Sequence, residues 1–268
     1  MSRLTKALDY FSYTLEEIPR RPEIKRSLLL FYLCSLLSGA IAAGLISLLL
    51  IHANRSFLTF FLIGVVVALL LLTLQFFSVL LSGSVIRSSA SESQVGHAST
   101  TIRTERMVEL FKYTLAKPFL QGNLSTNSNV NLLPAPDLKA WKAGKSLFLA
   151  ELVLNSEDLT TARQKVIQQA SVPSLQFDPQ EVNLTPLALA LPLLFGLIGC
   201  TLGVLLGSYL GSGIKVSDNL QLRAAFEGMA VFLVFFLPAV SFSAITQGMY
   251  QGELYQLEHQ PARTETTP

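Results

Sequence analysis

Charged side chains are scarce in this sequence: Asp, Glu, Lys and Arg make up 14% of its 268 residues, whereas half of the residues are apolar. An ordinary soluble domain has about a quarter of its residues charged. Cysteine is also rare, with two residues, and the net charge is only +2. A disulfide scaffold needs more cysteine, and a nucleic-acid binder needs a strongly basic surface. The composition therefore excludes a soluble enzyme, a disulfide scaffold and a nucleic-acid binder as the main description.

The missing charges leave four long runs without Asp, Glu, Lys, Arg or His. Each run is 25 to 33 residues long, and the runs are Ser27–Ile51, Ser56–Ile86, Val182–Ile214 and Gly228–Gly252. A helix needs about 20 apolar residues to cross the hydrocarbon core of a bilayer. We therefore predict an all-α membrane protein with four transmembrane helices arranged as two hairpins, near Leu28–Ile51, Phe57–Leu81, Leu187–Leu210 and Ala224–Ile245.

The distribution of Lys and Arg predicts the orientation of these spans. Six basic residues precede the first run, at Arg3, Lys6, Arg20, Arg21, Lys25 and Arg26. The connectors inside the two hairpins carry far fewer, namely Arg55 in the first, and Lys215 and Arg223 in the second. Because basic flanks stay in the cytoplasm, the N-terminus is predicted there, and four crossings return the C-terminus to the same side. We expect a multi-pass protein of the plasma (inner) membrane.

The predicted spans divide the chain into five segments. Residues 1–26 form a cytoplasmic amphipathic segment, 27–86 the first hairpin, 87–184 a cytoplasmic linker with a small helical domain, 185–247 the second hairpin, and 248–268 a cytoplasmic tail. Arg87–Thr101 lacks an apolar period and is predicted to be a flexible linker. Helical patterns follow at Ile102–Leu115, Asp137–Leu154 and Glu157–Ala170, the last with Ser156 as N-cap. So small an insert can bury only a small hydrophobic core, and we expect it to pack against another surface for stability.

Two groups of residues are candidates for contact with the membrane surface. Ahead of the first span, apolar side chains recur at the helical period at Leu4, Leu8, Phe11, Leu15 and Ile18. This amphipathic helix either lies on the inner leaflet or packs on the cytoplasmic insert, since both arrangements bury the same stripe. The second group is Lys139, Lys142 and Lys145, at helical spacing beside Trp141. These lysines either contact anionic lipid headgroups or form a solvated helix face.

The third predicted span carries a ridge of small residues. Its glycines follow a strict i, i+4 spacing at Gly199, Gly203, Gly207 and Gly211. A ridge without side chains lets another helix backbone approach closely, and close van der Waals contact is the main attraction between helices in lipid. Gly39 and Ala43 in the first span offer a smaller matching surface, so we expect these two faces to pair. The alternatives are an oligomer seam and a pore lining.

Polar residues form a second pattern inside the spans. Gln75, Ser78 and Ser82 share a face of the second span, and Pro238 interrupts the hydrogen bonding of the fourth. They either outline a polar pocket open to the cytoplasm, or the hydroxyls bond their own helix backbone while Gln75 bridges helices. No run contains an ionisable group of the kind that coupled pumps normally keep, which disfavours a coupled pump.

No residue pattern in the sequence carries catalytic or cofactor chemistry. Cys34 and Cys200 lie at different depths of the predicted membrane and are expected to be apolar fillers. The three histidines share no helix face with another ligand, and no phosphate-binding loop or nucleophile elbow is present. We therefore predict no catalytic, cofactor or metal site and no nucleic-acid partner.

Three functional hypotheses follow. The first is a non-catalytic scaffold, assembly factor or accessory subunit of a membrane complex, with the lipid bilayer and a membrane protein or a second copy of the chain as partners. The alternative is a passive channel or small-solute transporter, as a monomer or an oligomer. A lipid-modifying enzyme ranks last, because Glu16, Glu17 and His259 make a poor catalytic set at the inner interface.

Overall fold

The computed structural model describes residues 3–52, 57–91, 104–121, 141, 144–155, 158–171, 185–213 and 220–259. Every regular element within these ranges is helical. The α-helices are α1 (Arg3–Glu17), α2 (Pro22–His52), α3 (Phe57–Ser91), α4 (Thr104–Gln121), α5 (Phe148–Leu154), α6 (Leu159–Ser171), α7 (Thr185–Gly213) and α8 (Leu220–His259). Short 3₁₀ turns precede α2 and α5, at Ile18–Arg20 and Lys145–Leu147.

Three of these helices are long and apolar enough to cross a membrane. Their apolar segments are Pro22–Leu49 in α2, Phe57–Ala90 in α3 and Glu227–Gln256 in α8. In α7 the described apolar stretch, Ala190–Gly203, is shorter than the roughly 20 residues that a crossing needs. The structure thus supports a helical membrane protein with three candidate spans, and the fourth span remains a prediction from the sequence.

The described residues belong to two compact units. The span unit comprises Lys25–Leu81 and Leu184–Ala244, and the insert unit comprises Met1–Ile24, Ser82–Asn183 and Ile245–Pro268. Helices α3 and α8 each begin in the span unit and end in the insert unit. Helix α2 is divided as well, between Ile24 and Lys25, so three long apolar helices contribute residues to both units.

The span unit has a small core and an apolar outer surface. Phe31, Leu74 and Leu237, from α2, α3 and α8, are buried. Many large apolar side chains instead point outward, among them Leu29, which is 62% exposed, and Leu193, which is 71% exposed. A soluble protein rarely exposes so much contiguous apolar surface. Hydrocarbon chains can cover it, because they are as apolar as leucine itself.

The insert unit has a mixed core built from helix ends and short helices. Val85 and Ile86 of α3 and Met249 of α8 are fully buried. Helices α4, α5 and α6 add apolar side chains to this unit, including Leu110, Phe148, Leu152, Ala162 and Val166. Trp141 is also buried and meets Phe148 edge-on, with ring centroids 5.1 Å apart. The single tryptophan is therefore a core residue.

Helices α3 and α8 extend further than the sequence indicated. Helix α3 continues to Ser91, so the first residues of the predicted flexible linker are helical, and Ser88 and Ser89 are buried. Helix α8 continues to His259, through the first half of the predicted tail. The polar residues of these segments predict a loop and a tail, but packing between the two helices covers several of them and keeps both segments helical.

The N-terminus of α6 also differs from its prediction. The helix begins at Leu159, and the Asp158 carboxylate caps it by accepting a hydrogen bond from the Thr161 amide at 2.7 Å. This bond holds the pKa of Asp158 below its usual range. Asp158 thus takes the N-cap role that the sequence assigned to Ser156, which lies outside the described residues. Both residue types are good N-caps, so the sequence alone could not choose between them.

Candidate interaction surface of the insert unit

A buried polar cluster attaches α5 to the end of α8. The Glu151 side chain is 1% exposed, and its Oε2 accepts a hydrogen bond from the Tyr255 hydroxyl at 3.0 Å. The Asn155 amide donates to the same hydroxyl, and Lys165 Nζ lies 3.4 Å from Glu151 Oε1. A buried carboxylate is costly unless it is hydrogen-bonded and paired. Each partner of Glu151 therefore helps to fix α5 and α6 against α8.

Helix α4 braces the turn between α5 and α6. The Arg106 guanidinium donates to the carbonyl oxygens of Leu152 and Val153, at the C-terminal end of α5. One turn further along α4, Glu109 Oε2 accepts a hydrogen bond from the Leu159 amide, at the start of α6. A cation near a helix C-terminus and an anion near an N-terminus both interact favourably with the helix dipole. The order of the two charges along α4 thus matches the order of the two helix ends.

Helix α1 packs against the end of α8. The Tyr10 hydroxyl donates to Glu253 Oε2 at 2.9 Å, and the Tyr10 ring meets the Tyr250 ring edge-on. Burial and the nearby Glu253 carboxylate raise the pKa of Tyr10, so the phenol stays protonated as a donor. Phe11 is 6% exposed in the same region. Tyr10 therefore fixes α1 to the end of α8.

A close helix crossing joins α3 and α8 within the insert unit. A Cβ atom added at Gly248 would lie 2.8 Å from the carbonyl oxygen of Ser82, and one at Gly252 would lie 2.8 Å from the Ser89 Cβ. The Gln256 amide donates to the Ser89 carbonyl one turn further on. The i, i+4 glycine pair of α8 therefore lets the backbone of α3 approach closely, as small residues do between membrane helices. This pair was readable in the sequence, but the predictions did not use it.

Helix α4 also carries apolar side chains on its outer side. Leu110, Tyr113 and Thr114 are buried on its inner face. The outer face carries large apolar side chains that are 38% to 58% exposed, namely Met107, Val108, Phe111 and Leu115. We call these four residues the outer stripe. They recur at the helical period, so they form one strip of partly exposed side chains, while the other side of α4 is buried.

The predicted glycine ridge faces a different helix from the one expected. A Cβ atom at Gly203 would lie 2.7 Å from the carbonyl oxygen of Gly228, and one at Gly199 would lie 3.1 Å from the carbonyl oxygen of Phe232. Both neighbours belong to α8, whereas the sequence suggested a pairing with α2. Helix α8 can approach the ridge because Gly228 has no side chain at the crossing. The surroundings of Gly207 and Gly211 lie outside the described residues.

The residues proposed as partners of the ridge also pack elsewhere. A Cβ atom at Gly39 would overlap the Leu233 side chain, so this glycine accommodates a leucine of α8. Ala43 is fully buried. The predicted pairing of α2 with the ridge was therefore wrong at the positions that the structure describes. The space beside Gly39 is filled by the Leu233 side chain of α8, and not by the backbone of the ridge.

The polar residues predicted inside the spans differ in how deeply they are buried. Gln75 and Ser78 are half-buried and Ser82 is buried, whereas Pro238 lies on an exposed side of α8. Helix α8 runs through Pro238, and the Ser241 hydroxyl donates to the Pro238 carbonyl at 3.1 Å. Other hydroxyls bond their own helix, such as Ser38 with the Cys34 carbonyl. This is the local hydrogen bonding that hydroxyls commonly make in membrane helices.

The predicted membrane-surface residues fall into three groups in the structure. Phe11 is buried, while Leu15 is 60% exposed, so the α1 stripe is divided between protein and surroundings. The side chains of Leu4 and Leu8 lie outside the described residues, as do Lys139, Lys142 and the side chain of Lys145. Trp141 beside these lysines is buried in the insert unit.

Comparison with known proteins gives no relative: no family model, no curated protein and no solved structure matches the chain. Within the described part of the chain, no three His, Cys, Asp or Glu side chains come together as a group that could hold a metal ion. The contacts of the insert unit are therefore the observations that bear on function.

Proposed function

We propose that this protein is a non-catalytic scaffold, acting as an assembly factor or accessory subunit of a membrane complex. In this proposal the chain crosses the plasma (inner) membrane four times, keeps both termini in the cytoplasm, and carries the insert unit on the cytoplasmic side. The observation on which the proposal depends is the buried attachment of α5 to α8 through Glu151 and Tyr255. It ties the short helix α5 of the insert unit directly to a long apolar helix.

The length of α8 supports this role. Its 40 residues extend about 60 Å at 1.5 Å per residue, twice the roughly 30 Å of the hydrocarbon core. Beyond the predicted span Ala224–Ile245, the helix carries Glu253 and Tyr255, which hold α1 and α5. A partner bound to the insert unit would thus be tethered to a membrane helix by side chains that are buried and hydrogen-bonded. Such a fixed attachment is what an assembly platform requires.

The passive channel remains the alternative, and the ridge contacts weigh against one form of it. A pore lined by the glycine ridge needs the ridge to be open. At Gly199 and Gly203 the backbone of α8 occupies that space. A channel would therefore need a different path within the chain or a path between several copies.

Purification in mild detergent tests the scaffold proposal. We expect a partner protein to co-purify in fixed stoichiometry with the full chain. Replacing Tyr255 with Phe and Asn155 with Ala should reduce the yield of that partner while the chain stays in the membrane fraction, because the insert loses its attachment to α8. Gln164→Ala is the control, since Gln164 is an exposed residue of α6 outside the buried cluster.

The contrary result is equally specific. Recovery of a monomer or a uniform homo-oligomer, together with solute flux in liposomes made from the purified chain alone, would favour the channel and overturn the scaffold.

A further inference from the structure

The outer stripe of α4 is a surface that neither the buried cluster nor the helix crossings use. Its residues Met107, Val108 and Leu115 are 38%, 58% and 46% exposed. Helix α4 is nevertheless held firmly, because Arg106 and Glu109 bond the ends of α5 and α6. The exposure therefore belongs to a well-anchored helix, whose outer side is presented in a fixed direction.

We propose that the outer stripe inserts into the lipid surface of the same membrane, at the boundary between headgroups and acyl chains. This inference rests on the proposed function, in that it assumes an insert unit held beside a bilayer, and it names the lipid surface as what α4 binds. Helix α4 would lie parallel to the membrane and act as an additional, monotopic anchor.

Chain continuity is the first argument for lipid. The insert unit contains Ser82–Ser91 of α3 and Ile245–His259 of α8, most of which belong to the apolar segments Phe57–Ala90 and Glu227–Gln256. It also contains α4, whose contacts with α5 and α6 lead to Tyr255 at the end of α8. A unit built on the ends of two membrane helices stays close to the bilayer in which they lie. Lipid is therefore present at high local concentration near α4.

The size of the stripe is the second argument. Four side chains about half exposed offer on the order of 300 Å² of apolar surface, whereas a stable protein interface needs roughly 800 Å² from each partner. A second copy of the chain could not be held by this strip alone. An interfacial helix has a lower requirement, because a narrow apolar face buried about 5–10 Å deep is sufficient when other segments already anchor the protein.

The charge beside the stripe fits a lipid surface as well. Lys112 follows Phe111 on α4, is 57% exposed, and pairs with Glu109. A lysine at the edge of an apolar face can lay its methylene stem along that face while its ammonium stays in the headgroup layer.

Fluorescence quenching in nanodiscs tests the proposal with the full-length protein. Cys34 and Cys200 are replaced by Ala, and a single cysteine is placed at Val108 or Leu115 and labelled with an environment-sensitive dye. The matched control is Gln164→Cys, an exposed position on α6. The nanodiscs contain phosphatidylcholine and phosphatidylglycerol, with or without a lipid that carries a spin label near the top of its acyl chain.

We expect the spin-labelled lipid to quench the dye at positions 108 and 115 about threefold or more strongly than at position 164, because an interfacial helix places its apolar face about 5–10 Å into the membrane. Aqueous iodide should quench the dye at position 164 more strongly. Strong iodide quenching at 108 and 115 without lipid quenching would overturn the proposal. Protection from both quenchers would overturn it too, since protein would then cover the stripe.

These outcomes can be separated from the scaffold proposal. Partner co-purification with the wild-type chain does not depend on the quenching result. If the partner co-purifies but the stripe is not quenched by lipid, only the lipid contact is wrong. If the chain can be extracted from membranes without detergent, both proposals fail.

Discussion

Glu151 joins three helices of the insert unit. It is buried on α5, yet its two carboxylate oxygens meet Tyr255 on α8 and Lys165 on α6. Desolvation of a carboxylate costs several kcal/mol, and the cost is offset only when the geometry of its partners is good. The cluster therefore specifies one arrangement of the three helices, since any other leaves the carboxylate buried without its donors.

Removal of the Tyr255 hydroxyl tests this cluster. Tyr255→Phe keeps the ring but takes away one donor to Glu151, and we expect a loss of about 1–3 kcal/mol in the free energy of unfolding. Denaturant titration in detergent micelles measures it. Gln164→Ala, at an exposed site on α6, should change stability by less than about 0.5 kcal/mol. Equal effects of the two substitutions would show that the hydroxyl of Tyr255 is not held by Glu151.

Asp158 gives a prediction about pH. Its folded pKa is lowered, first by the hydrogen bond from the Thr161 amide. A lowered pKa means that the cap stabilises α6 fully above the unfolded pKa and that this stabilisation is lost as pH falls through the folded pKa. Hydrogen exchange over residues 158–171 is compared between about pH 6 and pH 3, on either side of the ordinary Asp pKa of about 3.9.

The matched variant for that measurement is Asp158→Asn, since Asn is as good an N-cap as Asp but does not titrate in this range. Protection of α6 in the wild type should fall towards acid relative to the variant. If the two proteins keep the same ratio of exchange rates at both pH values, the carboxylate does not cap the helix.

At the scale of the elements, two pairs of helices cross where a glycine of one helix contacts the backbone of the other. Gly203 of α7 faces Gly228 of α8, and Gly248 of α8 faces Ser82 of α3. In each case the neighbouring atom is a main-chain carbonyl oxygen, which cannot rotate away as a side chain can. Gly44 and Gly64, in α2 and α3, have no neighbouring atom within 4 Å of an added Cβ.

Alanine substitutions at two of these positions should therefore have opposite effects. Gly203→Ala places a methyl group against the Gly228 carbonyl, and we expect a loss of about 1–3 kcal/mol from overpacking. Gly44→Ala meets no neighbour and should stabilise α2 by roughly 0.5–1 kcal/mol through reduced backbone entropy. Thermal unfolding in detergent compares the two variants. The same sign for both would mean that α7 and α8 do not cross at Gly203.

At the scale of the whole molecule, the number of crossings decides where the two termini lie. Four spans leave both termini on one side, and the three spans supported by helix length leave them on opposite sides. We predict that α7 crosses as well, so that reporters fused to the N-terminus and the C-terminus both respond in the cytoplasm. A third reporter in the connector that contains Arg55 should respond outside. Opposite signals from the two termini would show that α7 does not cross.

Much of the architecture could be predicted from charge and hydropathy alone. The helical class and three long apolar helices agree with the sequence, because a long run without charges has no stable alternative to helix in lipid. The helix ends were less predictable. Ser88 and Ser89 gave a polar, loop-like signal, but they are buried, and Gln256 of α8 donates to the Ser89 carbonyl, so α3 continues.

The amino-acid sequence by itself determined that this is a membrane protein built from helices, since the exclusion of charge over 25 or more residues is a local property that each run carries on its own. Only the tertiary structure decided which surfaces meet. Glu151 and Tyr255 are 104 residues apart, and the glycine ridge faces α8 where α2 was expected. Such pairings depend on the fit of distant side chains and backbones, and no local period in the sequence encodes them.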